Sequence, residues 1–218
     1  MKGYSIAVVD CDYPQYSIVR MRERDIRMAT DDEHYKALAY EQFTRLDKKM
    51  YPVITSVPEK VAETARALVE MDKYDLIFLD LPGTVNAEGI LYTLSKMDYI
   101  FCPISADRVV LESSLRFASR INEKLIVSGK SNIKVLHLVW NLVDGREKTE
   151  LYEVYEQVIA ELGLDVLKTF LPDSKRFRRE LSAGHRPLFR STMFPADRAL
   201  IKGSNLDALA EEIIDIIK

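Results

Sequence analysis

Three carboxylates stand where apolar runs stop. Residues 76–80 read Leu-Ile-Phe-Leu-Asp and residues 5–10 read Ser-Ile-Ala-Val-Val-Asp. A fully buried parallel strand has no polar face and reads as a continuous apolar run, so Asp10 and Asp80 are expected at the carboxyl ends of two such strands. In an open α/β sheet that edge is where ligands bind. Asp12 falls on the same side of an extended chain as Asp10, because side chains alternate. Acids so placed can hold a hard cation or orient a water, and they equally suit a solvated strand end. Pro82-Gly83 then breaks the second strand and frees the backbone amides that follow, beginning at Thr84.

The elements that must position these acids follow from periodicity. Residues 20–44 hold no Gly or Pro and are helix-like, with Arg20, Arg22, Glu23, Arg24, Asp25 and Arg27 forming a solvated face and Asp31 or Asp32 able to cap a helix running through Leu38, Ala39 and Phe43. Residues 52–56 form a short strand. A helix then starts near Pro58, with Ser56 as a capping side chain and Val61, Ala65, Leu68 and Val69 as its apolar face. After the 76–80 strand the pattern gives a helix over 86–96, a strand over 99–105 and a long helix over 107–127. Beyond these come a strand over 135–141, a helix over 147–162, a strand over 166–171, a short basic helix over 175–181 and a last helix over 206–217. Residues 183–204, broken by Gly184, Pro187 and Pro195, are the least regular part. Alternating strands and helices predict an α/β fold, a doubly wound mostly parallel sheet with helices on both faces, in a single domain over residues 1–218.

Composition narrows the class. Lys and Arg number 31 against 34 Asp and Glu, so the net charge of −3 gives no global pull toward nucleic acid or anionic membrane. Hydrophobic content of 47% fits a globular chain rather than a disordered one. Cys11 and Cys102 sit among strand-like apolar residues without metal-type spacing and read as buried thiols in a reducing compartment. No apolar run approaches the roughly 18 residues of a membrane span, and the start is too short for a signal peptide, so the expected location is the cytoplasm. His34, His137 and His185 are scattered without metal spacing; His137 reads as a buried, satisfied side chain and Trp140 as core.

In this order the signals resemble the ParA/MinD class of deviant-Walker ATPases, which partition DNA or position division proteins, and most closely the ParA-like proteins of conjugative transposons (the TraA group). Residues 5–15 resemble the class's apolar strand followed by Asp-x-Asp and Pro-Gln. Residues 75–82 resemble its Walker B strand, and Asp98 to Ile104 its Ala-Asp-x-x-Leu-x-Pro strand. Residues 139–144 resemble the strand whose terminal Asn reads adenine. Thr169 to Ser174 with Arg176 resemble the segment that closes the nucleotide pocket. The resemblance implies a P-loop NTPase-like fold and an ATP- and Mg²⁺-dependent ATPase. Asp12 would polarise the attacking water, and Asp10 and Asp80 would hold Mg²⁺ directly or through its waters. Asn141 would bond the adenine, Pro172 would pack on it, and Asp173 would border it. ATP would join two subunits into a homodimer, and a partner protein would trigger hydrolysis. Non-specific DNA binding is also implied, for which Lys175, Arg176, Arg178, Arg179 and Arg190 are the candidates, with no membrane partner.

One departure dominates. The glycine-rich Lys-Gly-Gly-x-Gly-Lys phosphate loop of the class occurs nowhere in the 218 residues. A phosphate cradle needs glycines so that amides can surround the anion, and a Lys for the β- and γ-phosphates. The sequence looks like a member lacking its first βα unit, by truncation or natural loss, and is expected to bind ATP poorly and hydrolyse it negligibly. Tyr13, placed between Asp12 and Pro14, is a smaller departure. Two alternatives remain. One is a non-catalytic interaction subunit that pairs with a complete ParA-like ATPase. The other is a receiver-like phosphoacceptor domain with Asp80 as acceptor and Ser105 beyond the next strand. Against the second, the chain is about 100 residues too long for one such module.

Overall fold

The computed structural model describes residues 3–47, 49–82, 88–146 and 149–218. Gly83, Thr84 and the start of the expected 86–96 helix lie outside them. In chain order the elements are β1 (Ile6–Asp10), α1 (Ser17–Asp31), α2 (Glu33–Leu46), β2 (Val53–Thr55), α3 (Val61–Glu70), β3 (Leu76–Asp80), α4 (Glu88–Ser95) and β4 (Tyr99–Ile104). Then follow α5 (Arg108–Ile121), β5 (Val135–Trp140), α6 (Thr149–Glu161), β6 (Asp165–Val166), α7 (Arg198–Ile201) and α8 (Leu206–Ile217). Two compact units emerge, Met1–Thr93 with Phe177–Asp197 and Leu94–Arg176 with Arg198–Lys218.

The first unit is built on a parallel sheet ordered β2-β1-β3. Alternation along β1 sends Ala7, Val9 and Cys11 to one face, where they form a core with Val61 and Leu68 of α3. The opposite face carries Val8 and Asp10. Strand β3 ladders with β1 alone, and no residue in it is fully buried; Phe78 is 46% exposed. The apolar run predicted a strand buried on both faces. Edge position explains the difference, because an edge strand is covered from fewer directions.

The helical 20–44 stretch forms two helices, and the second is capped by Asp32, one of the two caps expected for a helix through Leu38, Ala39 and Phe43. Asp32 separates them, its extended backbone ending α1 while its carboxylate accepts from the His34 and Tyr35 amides at 3.0 and 3.4 Å to cap α2. The charged residues of α1 divide: Arg20, Glu23 and Arg27 are exposed, as the charge pattern suggested, whereas Arg22, Arg24 and Asp25 are drawn into the unit. Asp25 is fully buried; one of its oxygens accepts from the Thr192 amide at 2.7 Å, the Thr192 hydroxyl at 3.0 Å and the Ser191 hydroxyl at 2.9 Å. Arg24 meets its other oxygen at 3.2 Å and also pairs with Glu180. Arg22 donates to the Thr192 hydroxyl and carbonyl and to the Tyr51 carbonyl, stacking over the Tyr51 ring at 4.6 Å. Residues 178–197, which span the end of the expected 175–181 helix and most of the irregular 183–204 stretch, thus form a strap fixed to α1 and α2. Leu181, Leu188 and Phe194 pack with Ala29 and Tyr35 beneath it.

The second unit holds a parallel sheet ordered β4-β5-β6. Val139, Leu167 and Leu209 of α8 form its core, with Phe101, Leu171, Ile213 and Ile216 packed against them. Trp140 is buried, as expected, and donates to Glu156 at 2.9 Å. The strand expected over 166–171 shrinks to Asp165–Val166. Glu212 accounts for this: its two oxygens accept from the Lys168 and Thr169 amides at 2.8 Å each. The segment rejoins β5 through Leu171, which donates to the Trp140 carbonyl at 2.8 Å. Among the described residues the strands ladder in two sets of three, β2-β1-β3 and β4-β5-β6. Among the described residues, no helix is long and apolar enough to cross a membrane.

The buried Asp25 cluster sets a stability test. Asp25→Ala leaves two hydroxyls, an amide and Arg24 without their acceptor and is expected to cost about 3 kcal/mol. Ser191→Ala removes one donor to Asp25 and the acceptor of the Met193 and Phe194 amides, and is expected to cost about 2 kcal/mol. Urea unfolding followed by far-UV circular dichroism checks both; equal, small losses would show that the strap does not depend on this carboxylate.

Candidate functional site

The site begins at the carboxyl end of β1. Asp10 has no exposed surface. One of its oxygens accepts from the Ile18 and Val19 amides at 2.9 and 3.0 Å, and the other from the Asp12 amide at 3.2 Å. Ile18 and Val19 open α1, whose own N-cap, Tyr16, has a left-handed backbone and makes no side-chain cap bond. Asp10 caps α1 from eight positions upstream, and a carboxylate at a helix N-terminus also meets the positive end of its dipole. A local signal was present: no Ser, Thr, Asp or Asn directly precedes Ser17, so the cap had to come from elsewhere.

Asp80 is the ladder partner of Asp10 on the neighbouring parallel strand, so the two side chains share a face. The Cys11 amide extends the ladder one step by donating to the Asp80 carbonyl at 2.9 Å. Asp12 follows in a turn where the Tyr16 amide donates to its carbonyl at 2.8 Å. The structure therefore gathers Asp10, Asp12 and Asp80 at one sheet end, opposite in side-chain direction to Cys11. Burial, and then the charges of Asp10 and Asp12, raise the Asp80 carboxyl above its ordinary value. Burial and the Asp10 and Asp80 charges likewise push the Cys11 thiol up to about 12, an inert sulfur at neutral pH.

In the second unit, Asn141 follows β5. Its side-chain oxygen accepts from the Leu142 amide at 2.9 Å, with Leu142 in the left-handed region. The turn is paired with the 171–173 segment: Val143 bridges to Pro172, and the Asp173 amide donates to the Val143 carbonyl at 2.8 Å. Asn141, Pro172 and Asp173 are thus brought together on two adjoining segments.

The five basic candidates divide. Arg176 is engaged internally, donating to the Ser174 hydroxyl and to the Leu200 and Lys202 carbonyls. Arg190 pairs with Glu180. Lys175, Arg178 and Arg179 are exposed around a single 3-10 turn, Lys175–Arg178, in place of the helix expected over 175–181. His137 is half-buried against Phe101, and its Nδ1 has no hydrogen-bond partner among the described residues, contrary to the satisfied side chain expected. Among those residues, no three His, Cys, Asp or Glu side chains are grouped to hold a metal ion.

No family model matches the chain, and no curated protein matches it. Solved structures do. The MinD cell division protein of Aquifex aeolicus is 17% identical, with 96% of this chain and 85% of that one covered at a TM-score of 0.51. A MinC:MinD cell division protein complex from the same organism is 14% identical over 81% of this chain and 72% of that one, at 0.49. A partition protein is 18% identical over 73% of this chain and 49% of that one, at 0.42. The first likeness shows the fold, an α/β arrangement of P-loop NTPase type; the other two superpose too loosely to add to it.

The two facing acids are expected to respond oppositely to neutralisation. A carboxyl with a raised folded-state value favours the folded state below its unfolded value, and that advantage is lost as pH rises through the folded value. Asp80→Asn removes the penalty, so the variant should melt above the parent at neutral pH, with the gap closing below about pH 4. Asp10→Ala removes the cap of α1 and should cost about 2 kcal/mol. Thermal melts across pH check both, and a lower melting temperature for Asp80→Asn at neutral pH would contradict the electrostatic reading.

Proposed function

We propose that this chain is a ParA/MinD-type module of a partition or conjugative-transfer ATPase, supplying part of a nucleotide site. Its phosphate cradle comes from outside these 218 residues. The observation that carries the reading is the convergence of Asp10, Asp12 and Asp80 at the ends of two adjacent parallel strands. Strand order and the pairing of the Asn141 turn with Pro172 and Asp173 support it.

The donor set fits Mg²⁺ in a limited way. Mg²⁺ keeps several waters and is held by one or two carboxylates together with substrate phosphates. Asp80 carries charge that its neighbours destabilise, and a cation would relieve it. With Asp10 taking three amide hydrogen bonds, Asp80 is the ligand of choice, Asp10 acts through water or not at all, and Asp12 is the residue to orient a water. When bound, the ion would supply charge neutralisation for phosphoryl transfer. ATP fits less well, since no glycine-rich loop is present to receive its phosphates. No hydrolytic step is assigned to these residues alone. Within the second unit, Asn141 and Pro172 are the residues proposed to meet a base.

One observation favours a second reading, the non-catalytic subunit that pairs with a complete ATPase. Among the described residues β3 ladders on one side only, an edge whose backbone groups a partner's strand could pair with.

The purified 218-residue chain is expected to release no phosphate from ATP above background. Release abolished by Asp12→Ala would overturn this. Added to a complete ParA-type ATPase, the chain should change turnover under the second reading and leave it unchanged under the first. For DNA, the exposed Arg178 and Arg179 are the operative pair. Arg178→Ala/Arg179→Ala should lower retention of duplex DNA at low salt and reduce the salt slope by about 2. Arg190→Ala should act through stability instead, and unchanged retention by the double variant would remove DNA from the function.

A further inference from the structure

Helix α6 carries an apolar stripe that the fold leaves uncovered. Leu151, Val154 and Val158 on the helix, and Leu162 immediately after it, are 37, 55, 43 and 43% exposed. The Leu162 amide still donates to the Val158 carbonyl at 3.1 Å, so the helical path continues through it. At 3.6 residues per turn the four side chains fall within an arc of about 80°. They are not the face that holds α6 in place: Ile159 is buried on another side, and Glu156 reaches inward to Trp140. Spacings of three, four and four residues are those of a helix that docks against another helix.

The border of the stripe selects the partner. Helix α6 contains Glu150, Glu153, Glu156 and Glu161 and no Lys or Arg. On the same helical projection Glu150 and Glu161, and further round Glu153, lie along one edge of the stripe, while Tyr155 lies along the other. Arg108 of α5 stands within electrostatic range of Tyr155 and is itself paired with Glu112 at 2.9 Å. A second copy of α6 would set Glu against Glu, which like-charge repulsion disfavours. A helix with an apolar face and a basic edge matches both features.

We propose that the α6 stripe is a docking surface for an amphipathic helix of a partner protein, one with a row of Leu, Ile or Val and Lys or Arg along the edge that meets Glu150, Glu153 and Glu161. This surface lies wholly within the second unit and does not depend on the nucleotide reading.

The test uses the full chain and two synthetic amphipathic peptides of about 18 residues with the same leucine face, one edged with lysine and one with glutamate. Fluorescence anisotropy at low and high salt reads binding. The lysine peptide should bind and weaken as salt rises, and the glutamate peptide should not bind. Val154→Ser/Val158→Ser, at exposed positions that leave the circular dichroism melt unchanged, should weaken binding about tenfold. Glu150→Lys/Glu153→Lys/Glu161→Lys should reverse the preference to the glutamate peptide. Equal binding of both peptides, an unaltered preference in the charge-reversed variant, or self-association of the parent that Val154→Ser/Val158→Ser abolishes would each overturn the proposal.

Discussion

Much of the first unit hangs on one buried carboxylate. Asp10 ends the central strand of the β2-β1-β3 sheet and, without exposed surface, gives its oxygens to the amides that open α1 and to the Asp12 amide. An ionised acid is tolerated in such a place because amide donors and the helix dipole replace the water it has lost. The contact fixes where α1 starts. With the start fixed, Asp25 and Arg22, on the same helix, arrive where Ser191, Thr192 and Tyr51 meet them. One acid at a strand end thereby sets the helix, and the helix sets the strap.

The same engagement divides labour among the three acids. Asp10 is held by the protein's own donors, whereas Asp80 faces two negative neighbours and is pushed toward its neutral form. Edge position matters here. A central strand would bury Asp80 further; on an edge it stays half-buried, with Phe78 open beside it in the same strand. The charge strain is thus concentrated on the residue best able to meet an incoming cation or partner.

What the sequence showed and hid follows from the range of the interactions. Periodicity over a few residues located every strand and most helices, and an acid after an apolar run located Asp10, Asp12 and Asp80. Trp140, set in an apolar strand, was read as core and is core. The errors share a cause. Asp25 finds Ser191 across 166 positions, and Glu212 takes the Lys168 amide from 44 positions away. Such side-chain bonds draw part of a seemingly solvated helix face inward and cut a predicted strand to two residues. They leave no local pattern, because the composition of α1 is the same whether its charges meet water or a strap. The strap itself, with Gly184, Pro187 and Pro195, has no periodicity to betray that it is ordered.

A likeness of fold carries the arrangement of this site further than its activity. Three acids at a sheet end form a region of negative potential, which draws cations and repels polyphosphate. A nucleotide approaches such a region only when its own charge is offset by a metal ion and by donors on the far side of the phosphates. Backbone amides freed by glycines and a lysine are the usual source of those donors, and the sequence contains no such loop. In the proposed reading the acids of the first unit would therefore meet a cation, and the charge of the phosphates would be offset by other residues. Electrostatics alone thus makes the sheet end that carries Asp10, Asp12 and Asp80 favourable to cations and unfavourable to anions.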